Sequence, residues 1–269
     1  MSVRLSGQSD RRRSPSEPVP RSASGSGRKY DMWMGLCFET RESDSAWVHS
    51  VWTCTSAQVE QMTSVATTHW GLVFWEHEGS MHAGVSGPET TTSIAPVPQD
   101  ATFVGIEFAL GTSLRALPTP ALVNGGVGLP DTMRRSFRLD GSRWETPGPD
   151  DAEALVGRLV RDGAVVRDPI TLQVVQGHRP AVSRRTVERR FQAATGLTQG
   201  VVRQIERARR ASALLAGGVE VSDVVTRLGY FDESHLARAL RRFVGRTVRQ
   251  LVEGTGGAIA LDLDQPLIS

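Results

Sequence analysis

Apolar positions recur along this chain with two different periods, and the change falls near residue 150. Between residues 31 and 150 the apolar runs are short and are broken by Gly and Pro. Trp47 to Cys54 alternates Trp47, Val48, Val51 and Trp52 with polar neighbours, and Gly71-Leu72-Val73-Phe74-Trp75 is followed by a turn pair at Glu78-Gly79. Phe103 to Leu110 is a third such run, closed by Gly111. Successive side chains of a strand point to opposite faces, so short alternating runs with turn signals between them predict a mostly-β sandwich or barrel. Residues 112–117 and 151–162 read instead as helices, the second a connector over 151–166 between the seams at Gly148-Pro149 and Asp168-Pro169.

From residue 168 onward the spacing is three and four. A short helix is expected over Ile170 to Gln176, then Gly177-His178-Arg179-Pro180 interrupts. Ser183 is a good N-cap and Gly196 a good terminator for a helix from Arg184 to Thr195, with Val187, Phe191 and Ala194 on one face. Gln199 to Ala216 carries Val202, Ile205, Ala208 and Leu215 as a stripe and stops at Gly217-Gly218. Val221 to Leu228 follows, then a glycine turn at Gly229, a cap at Asp232 and a last helix from Glu233 to about Val244. That last helix turns Leu236, Leu240 and Phe243 one way and Glu233, Ser234, His235, Arg238, Arg241 and Arg242 the other. A helix, a glycine turn and a capped helix with a basic outer face is the pattern of a helix-turn-helix. The fold class is therefore α+β and multidomain: a basic tail over 1–30, a β domain over 31–150, the connector, a helical domain over 167–253 and a C-terminal tail over 254–269.

Charge sharpens this division. The net charge of the 269-residue chain is only +2, yet residues 167–253 hold sixteen arginines against eight carboxylates, while 31–150 is acidic. A basic half beside an acidic half points the basic half at a polyanion. No run approaches the roughly 18 apolar residues of a membrane span, and the first residues show no apolar signal core, so a cytoplasmic location and no membrane partner are expected. Cys37 and Cys54 form no CxxC pair, which leaves little basis for a disulfide framework or a zinc knuckle.

Gly229-Tyr230-Phe231-Asp232-Glu233-Ser234-His235-Leu236, continued by Arg238 to Gly245, resembles the C-terminal signature of AraC/XylS-type transcription regulators. Ser183-Arg184-Arg185-Thr186-Val187-Glu188-Arg189-Arg190-Phe191, with Ala194 to Thr198 after it, resembles the first signature block of the same family. The resemblance implies two helix-turn-helix units joined by a long helix, reading successive major-groove segments of duplex DNA in the bacterial nucleoid. It assigns base contacts to Arg185, Glu188 and Arg189 in the first unit and to Glu233, Ser234, His235 and Arg238 in the second. Phosphate contacts fall to Arg184, Arg241 and Arg242. Arginine can grip guanine O6 and N7 with two donors, glutamate can accept from the cytosine amino group, and flanking arginines set register on phosphates. Only one helix fits ahead of the first reading helix, so the first unit is abbreviated.

The β domain resembles the cupin-like sensor or dimerisation domain of that family through Gly87-Pro88-Glu89-Thr90 and Phe103 to Gly111. Trp52, Trp70, Phe74 and Trp75 are the candidates to line an effector pocket, with sandwich core as the competing assignment. His69, His77 and His82 are spaced by eight and five residues, which does not match a metal-dependent cupin, so no metal and no cofactor are expected. There is no GxSxG, Walker loop or HExxH, so no enzyme activity is expected. Candidate partners are duplex DNA, RNA polymerase, a small-molecule effector and a second copy of the chain, with the sign of regulation, activator or repressor, left open. The alternatives are a purely dimerising, non-sensing N-terminal domain and a cupin-type enzyme fused to a regulator domain.

Overall fold

The computed structural model describes residues 29–33, 36–57 and 61–256. The tail assigned to 1–30 lies outside them apart from its last two residues, and so does most of the tail assigned to 254–269.

The N-terminal region is mostly β and the C-terminal region helical, as the change of period predicts. Strands β1 (Lys29–Trp33), β2 (Leu36–Glu42), β3 (Val48–Ser56), β4 (Gln61–Ser64), β5 (Gly71–His77), β6 (Ser80–Ser86), β7 (Ser93–Pro96), β8 (Thr102–Phe108), β9 (Thr112–Leu114) and β10 (Gly126–Gly128) come first. β11 (Ser136–Leu139) and β12 (Ser142–Glu145) form a hairpin, α1 (Ala152–Arg161) follows, and β13 (Val165–Arg167) closes the region. The main sheet has the order β1-β2-β3-β8-β5-β6-β10, and β4 pairs β7 beside it. The turn at Glu78-Gly79 has positive φ at both residues, which is the conformation a two-residue hairpin between β5 and β6 requires.

Alternation sorts the sheet into two faces. Val51, Leu72, Phe74, Ile106 and Phe108 pack with Leu155, Val156 and Leu159 of α1 into the main β core. Leu36, Cys54 and Val97 are buried on the opposite side, with Phe38, Trp52, Met62 and Phe103 packed against them. The 151–166 connector is thus part of the β region: α1 covers a sheet face, Glu153 is held by Arg41 of β2 at 2.6 Å, and β13 pairs β9. The helix expected over 112–117 is not formed. Residues 112–114 are a strand, because Thr112 and Leu114 are buried and the backbone pairs with Val165–Arg167, a partner fifty residues away that local spacing does not reveal.

Asp168 caps the helical region by accepting from the Thr171 amide, and Pro169 takes the first helical position, where its missing N–H costs nothing. Helices α2 (Pro169–Val175), α3 (Arg184–Thr195), α4 (Gln199–Ala216), α5 (Val221–Leu228), α6 (Glu233–Phe243) and α7 (Val248–Glu253) follow. Ile205, Ala208, Ala211 and Leu215 of α4 are fully buried among Phe191, Val224, Leu236, Leu240 and Phe243. The long α4 therefore serves as the spine on which both helix pairs are packed. α7 was not anticipated; a reciprocal capping box between Thr247 and Gln250 starts it.

Candidate DNA-reading surface and the cavity behind it

The two candidate reading helices, α3 and α6, are positioned by their caps. Ser183 accepts from the Thr186 amide at the start of α3, and Gly196 ends it in the left-handed region. Asp232 accepts from the His235 amide at 2.6 Å at the start of α6. The Gly229 turn before it also has positive φ, which glycine adopts without a Cβ penalty. With Phe191 and the Leu236, Leu240, Phe243 stripe turned inward, the remaining faces are set. Arg184, Arg185, Glu188 and Arg189 are exposed on α3, and Glu233, Ser234, Arg238, Arg241 and Arg242 on α6.

Several of these residues already have partners. Arg184 Nε donates to Glu188 Oε1 at 2.8 Å, an exposed pair worth a few tenths of a kcal/mol that DNA can outcompete. The Arg242 guanidinium lies 4.9 Å from the centre of the Phe243 ring. His235 is half-buried and reaches back: its Nδ1 accepts from the Phe231 amide at 3.3 Å, and its ring meets Tyr230 edge-on. Together with Asp232 this closes both sides of the turn into α6, so His235 is first a residue that fixes the reading helix. Arg190, in the middle of the first signature block, pairs through Nε with Asp168 at 3.0 Å and ties α3 to the start of α2. Phe231, in the turn itself, is 90% exposed, an unusual state for a large apolar side chain.

A family model described as a helix-turn-helix domain, of the AraC type, matches residues 178–254, from just before α3 to just after α7. The match identifies residues 178–254 as a helix-turn-helix domain of the AraC type, which supports a DNA-binding transcription regulator. No curated protein matches the chain. No solved structure matches it either. Among the described residues, no helix is long and apolar enough to cross a membrane.

Behind this surface, between the main sheet and the β4–β7 pair, lies a cavity of about 290 Å³. Phe38, Trp52, Met62 and Phe103 supply apolar wall, Glu89 and Glu107 supply carboxylates, and Arg209 enters from α4. Of the four aromatic residues expected to line a pocket, Trp52 does so. Its indole lies across the sheet at Gly105, where any side chain would overlap the ring. Trp70 and Phe74 are instead core residues, 3% and 2% exposed. Trp70 stacks on Phe108 at 3.9 Å and donates to the Thr112 carbonyl, and Phe74 meets Phe137 edge-on. Trp75 is half-buried, stacked between His82 and Phe103. The strand period explains the split: Trp52 and the cavity residues occupy one set of alternate positions, Phe74 the other, and side-chain type alone does not say which face is hollow.

Glu89, from the Gly87-Pro88-Glu89-Thr90 segment, accepts from the Ser64 hydroxyl, and burial raises its pKa above the usual carboxylate range. Burial likewise pushes the Cys54 thiol up to about 12, which removes it as a reactive thiolate at neutral pH. His69, His77 and His82 do not come together. His82 stacks on Trp75 and His77 sits at the β5–β6 turn, while His69 lies against His49, the two rings 3.8 Å apart and nearly parallel. Burial, His49 and the Arg209 charge hold His69 well below the ordinary imidazole range, so it is neutral. Sequence reasoning missed Arg209, His49 and Glu107. They lie on different elements and meet only in the folded chain.

The two regions are joined by main-chain bonds. The Ala66 amide donates to the Phe243 carbonyl at 2.9 Å, the Thr92 amide to the Arg242 carbonyl at 3.0 Å, and Arg209 Nη1 to the Ala66 carbonyl at 3.4 Å. One residue of the β region thus touches both the end of α6 and the spine helix.

Proposed function

We propose that the protein is a sequence-specific regulator that reads duplex DNA with α3 and α6 and adjusts that reading to a small molecule held in the β region. The observation that carries the reading is the pair of capped helices with outward arginines, packed on one buried spine. Arg185 and Arg189 on α3, and Arg238 on α6, are the base readers. Glu188, Glu233 and Ser234 stand beside them as acceptors, and Arg184, Arg241 and Arg242 neutralise phosphate. On this reading the protein acts in the cytoplasm, on the nucleoid, with RNA polymerase as a further partner.

The cavity supports the sensing half of the proposal. Its walls are mostly apolar with a few convergent polar groups, the usual make-up of a small-ligand site. Arg209 on its wall hydrogen-bonds the Ala66 carbonyl, and the Ala66 amide holds the end of α6. A purely dimerising β domain would not need such a connection. Selection of duplexes from a random pool by the purified chain tests the DNA half. The expected product is a site with two conserved clusters about one helical turn, roughly 10 base pairs, apart. A pool that shows no enrichment overturns it.

A further inference from the structure

We propose that His49, His69 and Glu107 form a site for one divalent transition-metal ion of the zinc, cobalt or nickel class. Each offers a ligand atom, two imidazole nitrogens and a carboxylate oxygen, and these atoms all lie within 4.8 Å of one another. Zinc binds such ligands at about 2.0–2.2 Å, which places neighbouring donors of a tetrahedral site roughly 3.5 Å apart. The His49 and His69 rings are stacked at 3.8 Å, and a metal binds in the plane of each imidazole, so loading turns one ring out of the stack while the donor atoms draw together by no more than about 1.3 Å.

The cluster is built by the backbone. Val48 pairs with Phe108 and Ser50 with Glu107, so His49 is the extra residue of a bulge in β3. A bulge re-aims a side chain out of strict alternation; here it accompanies His49 into reach of Glu107. Glu107 is steadied by the Ser50 hydroxyl, which donates to Oε2 at 3.0 Å. His69 is fixed from both sides: its amide donates to Thr67 Oγ1 at 3.2 Å, and the next residue, Trp70, accepts from the Phe108 amide at 3.0 Å. Three ligands thus come from three separate segments, two of them anchored by hydrogen bonds and the third set by the bulge. Imidazole with carboxylate suits zinc, nickel, cobalt or iron(II) rather than calcium or magnesium, which take all-oxygen sets.

Arg209 lines the same cavity as Glu107 and donates to the Ala66 carbonyl at 3.4 Å, so a dication on Glu107 shares that cavity with the guanidinium. One carboxylate offsets part of the ion's charge, and the remainder repels the guanidinium from its bond to Ala66, the residue that holds α6. Metal loading consequently weakens the contact between the two regions. This coupling rests on the DNA-reading proposal; the metal site does not.

The test uses the full-length protein, stripped with chelator and titrated with zinc and then cobalt. One equivalent is expected to survive gel filtration, and the cobalt form to show visible absorption from nitrogen and oxygen ligands. His49→Gln and Glu107→Gln, with near-ultraviolet circular dichroism matching the parent, each reduce affinity at least about tenfold. A His77→Gln/His82→Gln double variant leaves it unchanged. Failure of the parent to retain an equivalent overturns the site, as does binding that survives both single variants or follows His77 and His82. With the selected duplex, metal changes DNA affinity about fivefold or more in the parent and not in Glu107→Gln; an unchanged affinity overturns the coupling alone. A chain that binds metal but selects no DNA leaves the metal site standing and removes the DNA-reading proposal.

Discussion

At the scale of single residues, the arginines of the helical region divide by what they already hold. Arg238 is exposed on α6, whereas Arg190 is bound to Asp168 within the fold. Arg238→Ala is expected to weaken binding to the selected duplex by about 1–3 kcal/mol and to relax the preference at one base pair, read by competition binding against single-position variants. Arg190→Ala is expected to lower thermal stability, with any loss of DNA affinity equal across sequences. Equal behaviour of the two would end the division into readers and struts. His235 stands between these groups, because its Nδ1 accepts from Phe231 while the residue stays half-exposed. The outward faces themselves were legible from spacing, since a period of 3.6 fixes which side chains share a face. That Arg190 and His235 are engaged at home was not, because their partners are a residue twenty-two positions away and a backbone amide whose direction only the folded turn sets.

At the scale of elements, caps and crossing pairs decide how firmly the reading helices and the sheet are held. Asp232 satisfies an amide at the start of α6 that the helix leaves without a partner. Asp232→Ala is expected to cost about 1 kcal/mol in chemical denaturation and to lower DNA affinity with no change in preferred sequence. In the β region, Glu153 of α1 accepts from Arg41 of β2 at 2.6 and 2.8 Å, and the guanidinium lowers its pKa to about 2. A folded-state pKa below the unfolded one contributes stability above the unfolded value of about 4.3, lost as pH falls toward 2. The melting temperature of the chain should therefore decline between about pH 5 and pH 2, and Glu153→Gln should flatten part of that decline; an identical slope in the variant would count against this pair. Helix boundaries from α3 to α6 were readable to within a residue because Ser183, Gly196, Gly229 and Asp232 mark them locally. Residues 112–114 form a strand and not the expected helix because a strand of three residues is defined by its distant partner, and the packing of α1 on the sheet is not written in its own ten residues.

At the scale of the whole molecule, the question is how far the DNA-binding domain depends on the β region beside it. Its core is largely its own: Phe191, Ile205, Leu215, Leu236, Leu240 and Phe243 are buried by helices α3 to α6. The β region adds Val65 and Ala66 to that cluster, with Leu110 and Val123 at its margin. It also donates the Ala66 and Thr92 amides to two of the last carbonyls of α6. Those carbonyls lack partners within any helix, and water can take over the role at a net loss of about 0.5–1.5 kcal/mol each. A fragment covering residues 167–256 should therefore remain helical by circular dichroism but melt below the intact chain. It keeps the arginine-rich surface, so its DNA affinity should fall steeply with salt, and its footprint should span both clusters of the selected site. It lacks the cavity, His49, His69 and Glu107, so neither a small molecule nor zinc should alter its affinity. If α2 and α3, the abbreviated first pair, lean on the β region for their shape, the fragment will instead protect only the half-site under α6. Within the fragment α3 is held by α2 through Asp168 and Arg190 and by α4 through Phe191, while its Gly196 end packs against Thr119, Pro120 and Val123 of the β region, so the length of the footprint reads out which support the first pair needs.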